Sequence, residues 1–280
     1  MDNRNISLPA KILVYAIMII FTVLTIYPIL WLVLQSFKTN TTYLTTNKLS
    51  FPSSLYLGNY AFVMNQGNFF GFFKNSLIYT SVTVAVVVVL SNMAGFAFAK
   101  LNYKITKLLH GIFIVGILLT MQSILIPLFL MVSAAGIHNT RWAVLIPYIA
   151  LGLPMGVYLC TDFQKSIPDE LLEAARIDGA SFISIFSRVV LPMCAPVSVT
   201  LAIITFTGNW NDFMGPLIYL SSDAKWTLAL GLSRFSGMYG KTPWNLLMAA
   251  SLVTVLPCVL LFFFAQRYFI QGIVITGVKG

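Results

Sequence analysis

The sequence predicts an all-α integral membrane protein: six transmembrane helices, both termini in the cytoplasm, and a cytoplasmic helix pair between the fourth and fifth spans. Three observations carry that expectation. Apolar residues make up 58% of the 280 and charged residues only 9%, where a soluble chain carries roughly 25% charged. Apolar runs near the ~20 residues that cross about 30 Å of hydrocarbon recur six times. The lysines and arginines fall between those runs and not within them.

The spans are expected at about Ile12–Leu34, Leu77–Phe98, Leu108–Val132, Trp142–Leu159, Val197–Leu220 and Leu246–Phe264. None shows strand-like alternation, so helices must satisfy the backbone within lipid. The first run follows Arg4 and Lys11, as a signal peptide would, but it is too long for an h-region and has no small-x-small cleavage site. It is therefore read as a retained span.

Sidedness comes from the short loops. Ala99–Lys107 holds Lys100, Lys104 and Lys107, whereas Ser133–Arg141 holds only Arg141. The first loop, and with it both termini, is assigned to the cytoplasm. Over the whole chain the contrast is weaker, with seven of the 17 basic residues outside and the other ten inside. The net charge of +9 is spread between apolar runs; it forms no dense patch of the kind nucleic acid requires. The three cysteines, Cys160, Cys194 and Cys258, are far apart and lie in or beside apolar runs, without metal-ligand spacing.

Several spans contain helix-distorting residues: Pro127, Pro147, Pro154 and Pro257. Gly152 and Gly156 form a GxxxG pair that admits a close helix neighbour. Two external segments are long, Gln35–Ser76 and Ser221–Asn245, and the second carries Trp226, Arg234, Phe235, Tyr239 and Trp244, suited to docking a protein or lying at the interface.

The inner loop between the fourth and fifth spans holds the densest information. Ser166 and Asp169 have capping spacing with Pro168 in the first turn, and Asp169, Glu170 and Glu173 place negative charge at the helix start. Leu171, Leu172 and Ala175 give an apolar stripe. Gly179 is placed to end that helix. A second short helix, about Ser181 to Val190, is expected to stop at Pro192. The pair holds no nucleophile, base and oxyanion set, so it is not catalytic in appearance. A solvated connector stays open on these residues alone; the flanking spans and the acidic first helix argue strongly against a DNA-reading helix-turn-helix.

Glu173-Ala174-Ala175, Gly179, Leu191 and Pro192 resemble the signature loop of binding-protein-dependent ABC importer permeases, with Asp178 and Ala180 adding to the match and Val189 standing where Ile is common. Phe73-Lys74-Asn75-Ser76, Trp210 through Leu217, Gln266 through Gly272 and Gly277 through Gly280 further resemble the carbohydrate-uptake branch and its smaller, maltose-type permease. The resemblance implies a type I permease domain over 72–267 with a coupling loop at about 162–192. An N-terminal tail, first helix and external segment would occupy 1–71, and a cytoplasmic tail 268–280. It implies a multi-pass protein of the bacterial cytoplasmic membrane, working with a paralogous permease, two ATP-binding subunits and an extracytoplasmic solute-binding protein to import a sugar or oligosaccharide. ATPase coupling then falls to Glu173, Ala174, Ala175, Asp178, Gly179, Leu191 and Pro192. Glu173 would orient the first helix and pair with a basic group on the partner.

No cofactor or metal is expected on this chain; ATP and Mg belong to the partner subunits. Gly237 to Thr242 ends like a phosphate loop, but Phe235 stands where glycine is required and no strand precedes it. Pathway candidates are the polar residues within spans: Gln122, Asn92, Asn209, Asn211 and Asp212, with Trp210 offering an apolar face to a sugar ring. An alternative stays open, in which Trp210 joins the interfacial aromatic belt and Asn211 and Asp212 tie helices together. Two functional alternatives also stand: import of a non-sugar solute such as a glycerophosphate derivative, and secondary transport. The latter is short of titratable groups, since only Asp212 lies well inside a span. His110 and His138 fall at opposite membrane faces, which leaves no constellation for a membrane-embedded enzyme.

Overall fold

The computed structural model describes residues 8–65, 67–237 and 242–277, with side chains through residue 264. Arg4, Tyr239, Lys241 and the last three residues lie outside these, as do the side chains of the Gln266–Gly272 motif. The described residues form helices and no strands. In chain order they are α1 (Leu8–Ser36), α2 (Asn40–Thr45), α3 (Gly58–Asn65), α4 (Phe69–Lys100), α5 (Lys104–Gly116), α6 (Met121–Ala134), α7 (Trp142–Lys165), α8 (Asp169–Ile177), α9 (Phe182–Ile185), α10 (Leu191–Met193), α11 (Ala195–Trp210), α12 (Met214–Tyr219), α13 (Leu228–Gly231) and α14 (Trp244–Gly277). A π-helical turn, Phe186–Val190, joins α9 to α10.

Four helices are each long and apolar enough to cross a bilayer: α1, α4, α7 and Trp244–Phe264 of α14. The remaining apolar length lies in two bent pairs. Helices α5 and α6 meet at 105°, and the Phe182–Met193 helix meets α11 at 72°. This differs from the straight spans expected at Leu108–Val132 and Val197–Leu220. In the first case the chain turns at Ile117–Thr120, where short i→i+3 bonds (Ile117 N to Ile114 O, Leu118 N to Val115 O, Leu119 N to Gly116 O) replace the helical ladder. In the second, α11 ends at Trp210 and a separate short helix, α12, follows.

The chain divides into two compact units. The first comprises the chain to Phe69 together with Leu232–Val255. Within it the segment after α1, expected as a long external stretch, is folded, not looped. Asn59 donates to the carbonyls of Ser36 and Lys38, both at 2.8 Å, and accepts from Asn245 at 2.7 Å. Lys38 is 1% exposed and donates to Asn47 O and Ser50 Oγ. Burial, and then the nearby Lys48 ammonium, push the Lys38 amine below its usual range. Tyr43 stacks on Trp244, and Phe69 meets Phe235 edge-on.

The second unit runs from Phe70 to Gly231, with the chain from Leu256. Its centre is a seam between α4 and α7 in which each helix supplies glycines to the other. A Cβ on Gly156 would lie 2.2 Å from Ser91 Oγ, and one on Gly152 3.0 Å from Val87. Reciprocally, a Cβ on Gly95 would meet Cys160 Cβ at 2.8 Å and the α7 backbone at 3.0 Å. The GxxxG pair thus does what its spacing predicts. A polar knot lies beside it: Asn92 donates to Ser198 Oγ at 2.9 Å, and Gln164 donates to Asn92 O at 3.2 Å, tying α4, α7 and α11. Asn92, a pathway candidate from sequence, is fully buried in this knot.

Because the α7 backbone cannot retreat from Gly95, Gly95→Ala should overpack the seam. The expected cost is about 1–3 kcal/mol, read as a lower midpoint in thermal unfolding of the detergent-purified protein. At Gly111 an added Cβ would meet no atom within 4 Å; Gly111→Ala should stay within about 0.5 kcal/mol.

Candidate functional site

Helix α8 starts with Asp169 and Glu170 at its positive end. The expected Ser166 cap does not form. Ser166 closes α7, its hydroxyl donating to Phe163 O at 2.7 Å, and the cap position of α8 belongs to Pro168. Orientation comes instead from Lys100 at the end of α4. Its ammonium donates to Ile167 O at 2.6 Å and pairs with Asp169 at 2.7 Å, while its own side chain is 7% exposed.

The end of α8 is as the sequence predicts. Gly179 has φ +79°, a left-handed conformation that only glycine adopts without strain. Gly179 N donates to Arg176 O and Ala180 N to Ala175 O, both at 3.0 Å, the paired bonds of a Schellman motif. Ser181 then caps α9, accepting from Ser184 N. The chain does not stop at Pro192. Proline cannot donate and would crowd the carbonyl one turn back; widening that turn to a π-helix carries the chain past it to Met193.

The two helices therefore form a rigid V that is fastened at its base. Leu172 of α8 and Ile185 of α9 are buried with Phe96 of α4, Val190, Cys194 and Val197 of α11. The outer face is left open: Leu171 is 44% exposed, Ile177 86% and Ile183 76%. Glu173, Ala174, Asp178, Gly179, Leu191 and Pro192 are exposed too, and Ala175 is half-buried. An apolar surface with acidic residues around it is presented on a stiff mount.

A second feature lies among the spans. A cavity of about 380 Å³ is lined by Tyr148, Met155, Ile204, Asn209, Asn211 and Asp212, among others. Asp212 is the hinge of this region. Its Oδ1 accepts from Met214 N and Gly215 N, capping α12, and its Oδ2 accepts from Tyr148 of α7 at 2.9 Å. Asn211 turns its amide back to Thr207 O of its own helix at 2.8 Å. Asn209 is different: its Nδ2 is buried and has no hydrogen-bond partner among the described residues.

Two sequence candidates stand elsewhere. Trp210 is fully buried, stacked on Phe206 at 5.2 Å and met edge-on by Phe73 at 5.7 Å. Gln122 is exposed on the first turn of α6; its neighbour Met121 lines the cavity instead. Tyr148 and Thr205 are not legible from sequence, since a tyrosine or threonine in an apolar run gives no signal until its neighbour is known. Among the described residues no group of three or more His, Cys, Asp or Glu is placed to hold a metal ion.

Comparison with known proteins agrees with this architecture. Residues 88–275 match the family described as "Binding-protein-dependent transport system inner membrane component". The arabinooligosaccharides transport system permease protein of Halalkalibacterium halodurans is 33% identical over 92% of each chain. The trehalose/maltose transport system permease protein of Thermococcus litoralis is 30% identical over 94% of each. Among solved structures, a chain of a bacterial ABC transporter involved in the import of the acidic polysaccharide alginate superposes with a TM-score of 0.82 at 20% identity, covering 94% of this chain and 99% of that one.

Asp212→Ala removes a helix cap and leaves the Tyr148 hydroxyl unpaired. The expected loss is about 2–4 kcal/mol of stability, against about 1 kcal/mol for Tyr148→Phe. In the double variant the two losses should fall short of their sum, checked by thermal unfolding of all four proteins.

Proposed function

The chain belongs to the family of binding-protein-dependent transport system inner membrane components, and from that premise we propose that it is one membrane-spanning half of an ATP-driven importer of a sugar or oligosaccharide. It is a multi-pass membrane permease of the ABC class. The observation that carries the mechanism is the V of α8 and α9, rigid at its Schellman turn, fastened to three span-forming helices, and apolar on its open face.

In this reading the four long helices and the two bent pairs make six crossings, with both termini and the V in the cytoplasm. The permease domain takes 72–267, preceded by residues 1–71 and followed by the tail 268–280; the coupling loop is 162–192. Two ATP-binding subunits sit beneath the V, and ATP and Mg belong to them. Their closure moves the surface cleft that holds the V, and the buried base (Phe96, Leu172, Ile185, Val197) passes the motion to α4 and α11. Glu173, exposed on α8, pairs with a basic group of the cleft, while Ala174, Ala175 and Asp178 shape the contact. Leu191 and Pro192 carry the chain back into the membrane.

A paralogous permease supplies the other half of the pathway, and an extracytoplasmic binding protein delivers the solute. The lining of the cavity beside Tyr148, with aromatic and apolar walls and the polar groups of Thr205, Thr207, Asn211 and Asp212, suits a sugar's mixed apolar and hydroxyl surface. Asn211 and Asp212 border this path; Trp210 and Gln122 serve it from its margins. Sugars are preferred to glycerophosphate derivatives because the relatives compared above carry saccharide transport in their names. Secondary transport has less support, since Asp212 is already engaged by three hydrogen bonds.

The direct test is isolation of the tagged chain from gently solubilised membranes. A second permease and an ATPase should co-purify, with ATP hydrolysis stimulated by a sugar-loaded binding protein. Stimulation only by other solutes would discard the sugar, and an active chain isolated without any ATPase would overturn the mechanism. A sharper prediction concerns Gly179, where no atom lies within 4 Å of a Cβ and only the backbone conformation resists substitution. Gly179→Val should strain the turn by about 1–2 kcal/mol and uncouple ATP hydrolysis from sugar uptake in proteoliposomes. Gly179→Asn, which tolerates the left-handed region, should keep them coupled. Undiminished uptake by the valine variant at normal expression would sink the role given to this turn.

A further inference from the structure

A second cavity, of about 510 Å³, opens where the end of α4, the start of α5, the end of α7 and α8 converge. Four cations line it: Lys100, Lys107, Lys165 and Arg176. Two carboxylates oppose them, Asp169 and Glu173. Lys100 is committed to Asp169 and to Ile167 O. That leaves three cations facing one exposed carboxylate, and among the described residues none of the three forms an ion pair. At the inner end lies His110, whose ring sits 5.6 Å from that of Phe98 and whose Nε2 is buried without a partner among the described residues. Such a cavity is short of anionic oxygen.

The apolar surroundings restrict what can supply it. Helix α5 carries Lys107 and His110 on the cavity side, while Leu108, Ile112 and Val115, spaced to share another face, are each about 60% exposed. A ligand with its anion in the cavity would thus have an apolar wall beside it, leading away along the helix. A soluble anion would use only the first feature; an amphiphile uses both.

We propose that this cavity binds the phosphate of an anionic phospholipid from the cytoplasmic leaflet, with the acyl chains lying along the open face of α5. Lys107, Lys165 and Arg176 neutralise the headgroup. The occupant touches Arg176 on the coupling helix, so the leaflet's anionic lipid content biases the position of the V. The inference rests on the cytoplasmic orientation proposed above for this end of the bundle.

The test uses the whole complex purified in detergent, titrated with phosphatidylglycerol and followed by native mass spectrometry. Lys107→Gln with Lys165→Gln removes two headgroup charges, each worth about a factor of five at a membrane surface. The tightest phosphatidylglycerol site should therefore weaken by roughly thirty-fold, phosphatidylcholine binding should not change, and Lys107→Arg with Lys165→Arg should retain the lipid. Should the glutamine pair fail to assemble, Lys107→Glu alone, at an exposed position, serves in its place with the same expectation. Equal phosphatidylglycerol retention by wild type and variant would overturn the proposal. So would complete displacement of the lipid by excess inorganic phosphate, which would make this a site for free anion. Orientation is read separately: Asn102→Cys should react with a membrane-impermeant maleimide in inside-out vesicles and not in intact cells. The reverse labelling would defeat the orientation itself, whatever the lipid result.

Discussion

An open peptide group in hydrocarbon costs several kcal/mol, and that constraint decides where this chain is allowed to bend. Among the described residues its apolar helices break at three places, and hydrogen bonds bridge each break. At Ile117–Thr120 successive i→i+3 bonds take over, and Thr120 and Ser123 pair their hydroxyls at 2.8 Å. At Cys194 the amide is shared between Val190 O and Leu191 O. At Asn211–Phe213 a carboxylate, Asp212, stands in for missing carbonyls by accepting the first two amides of α12. The bends are consequently stable features of the fold, and they shape the cavity beside Tyr148 by ending α11 where it does.

The same economy fastens the small V of α8 and α9 to the long helices. A motion is transmitted only through contacts that do not yield. The seam of α4 and α7 leaves no room for a Cβ at Gly95 or Gly156, and the knot of Asn92, Gln164 and Ser198 fixes α11 against both. Below the knot, Phe96 packs on Phe182 and Phe186 at 4.8 and 5.3 Å, and Lys100 holds the start of α8. One helix, α4, thus touches every part of the linkage within its last ten residues. The base of the V is thereby tied to both α4 and α11.

What the sequence made legible follows from what each signal measures. Hydropathy located the long helices, because length and apolarity are what lipid selects. It could not locate the turn after Gly116, since Ile117-Leu118-Leu119 is as apolar as the helices it separates. Gly179 was legible because a left-handed residue has one preferred occupant. Ser166 misled: its hydroxyl had two equally local uses, ending α7 or starting α8, and spacing does not choose between them. Pro192 correctly marked a disturbance, but not its remedy, because a π-turn adds a residue without changing composition. The external segment after α1 looked like a loop, since its order rests on Asn59 reaching carbonyls 21 and 23 residues away.

The polar residues of the spans show why pathway candidates are harder still. Composition treats Asn92, Asn209 and Asp212 alike, as costly groups that need a reason to be in a membrane. Their reasons differ once the partners are seen. Both hydrogens of the Asn92 amide find oxygens inside the bundle, so its cost is met by holding helices together. Asp212 spends its carboxylate on a cap and a tyrosine. Asn209 lines a cavity, yet its amide nitrogen is buried and finds no partner among the described residues. The distinction lies in satisfaction and not in residue type.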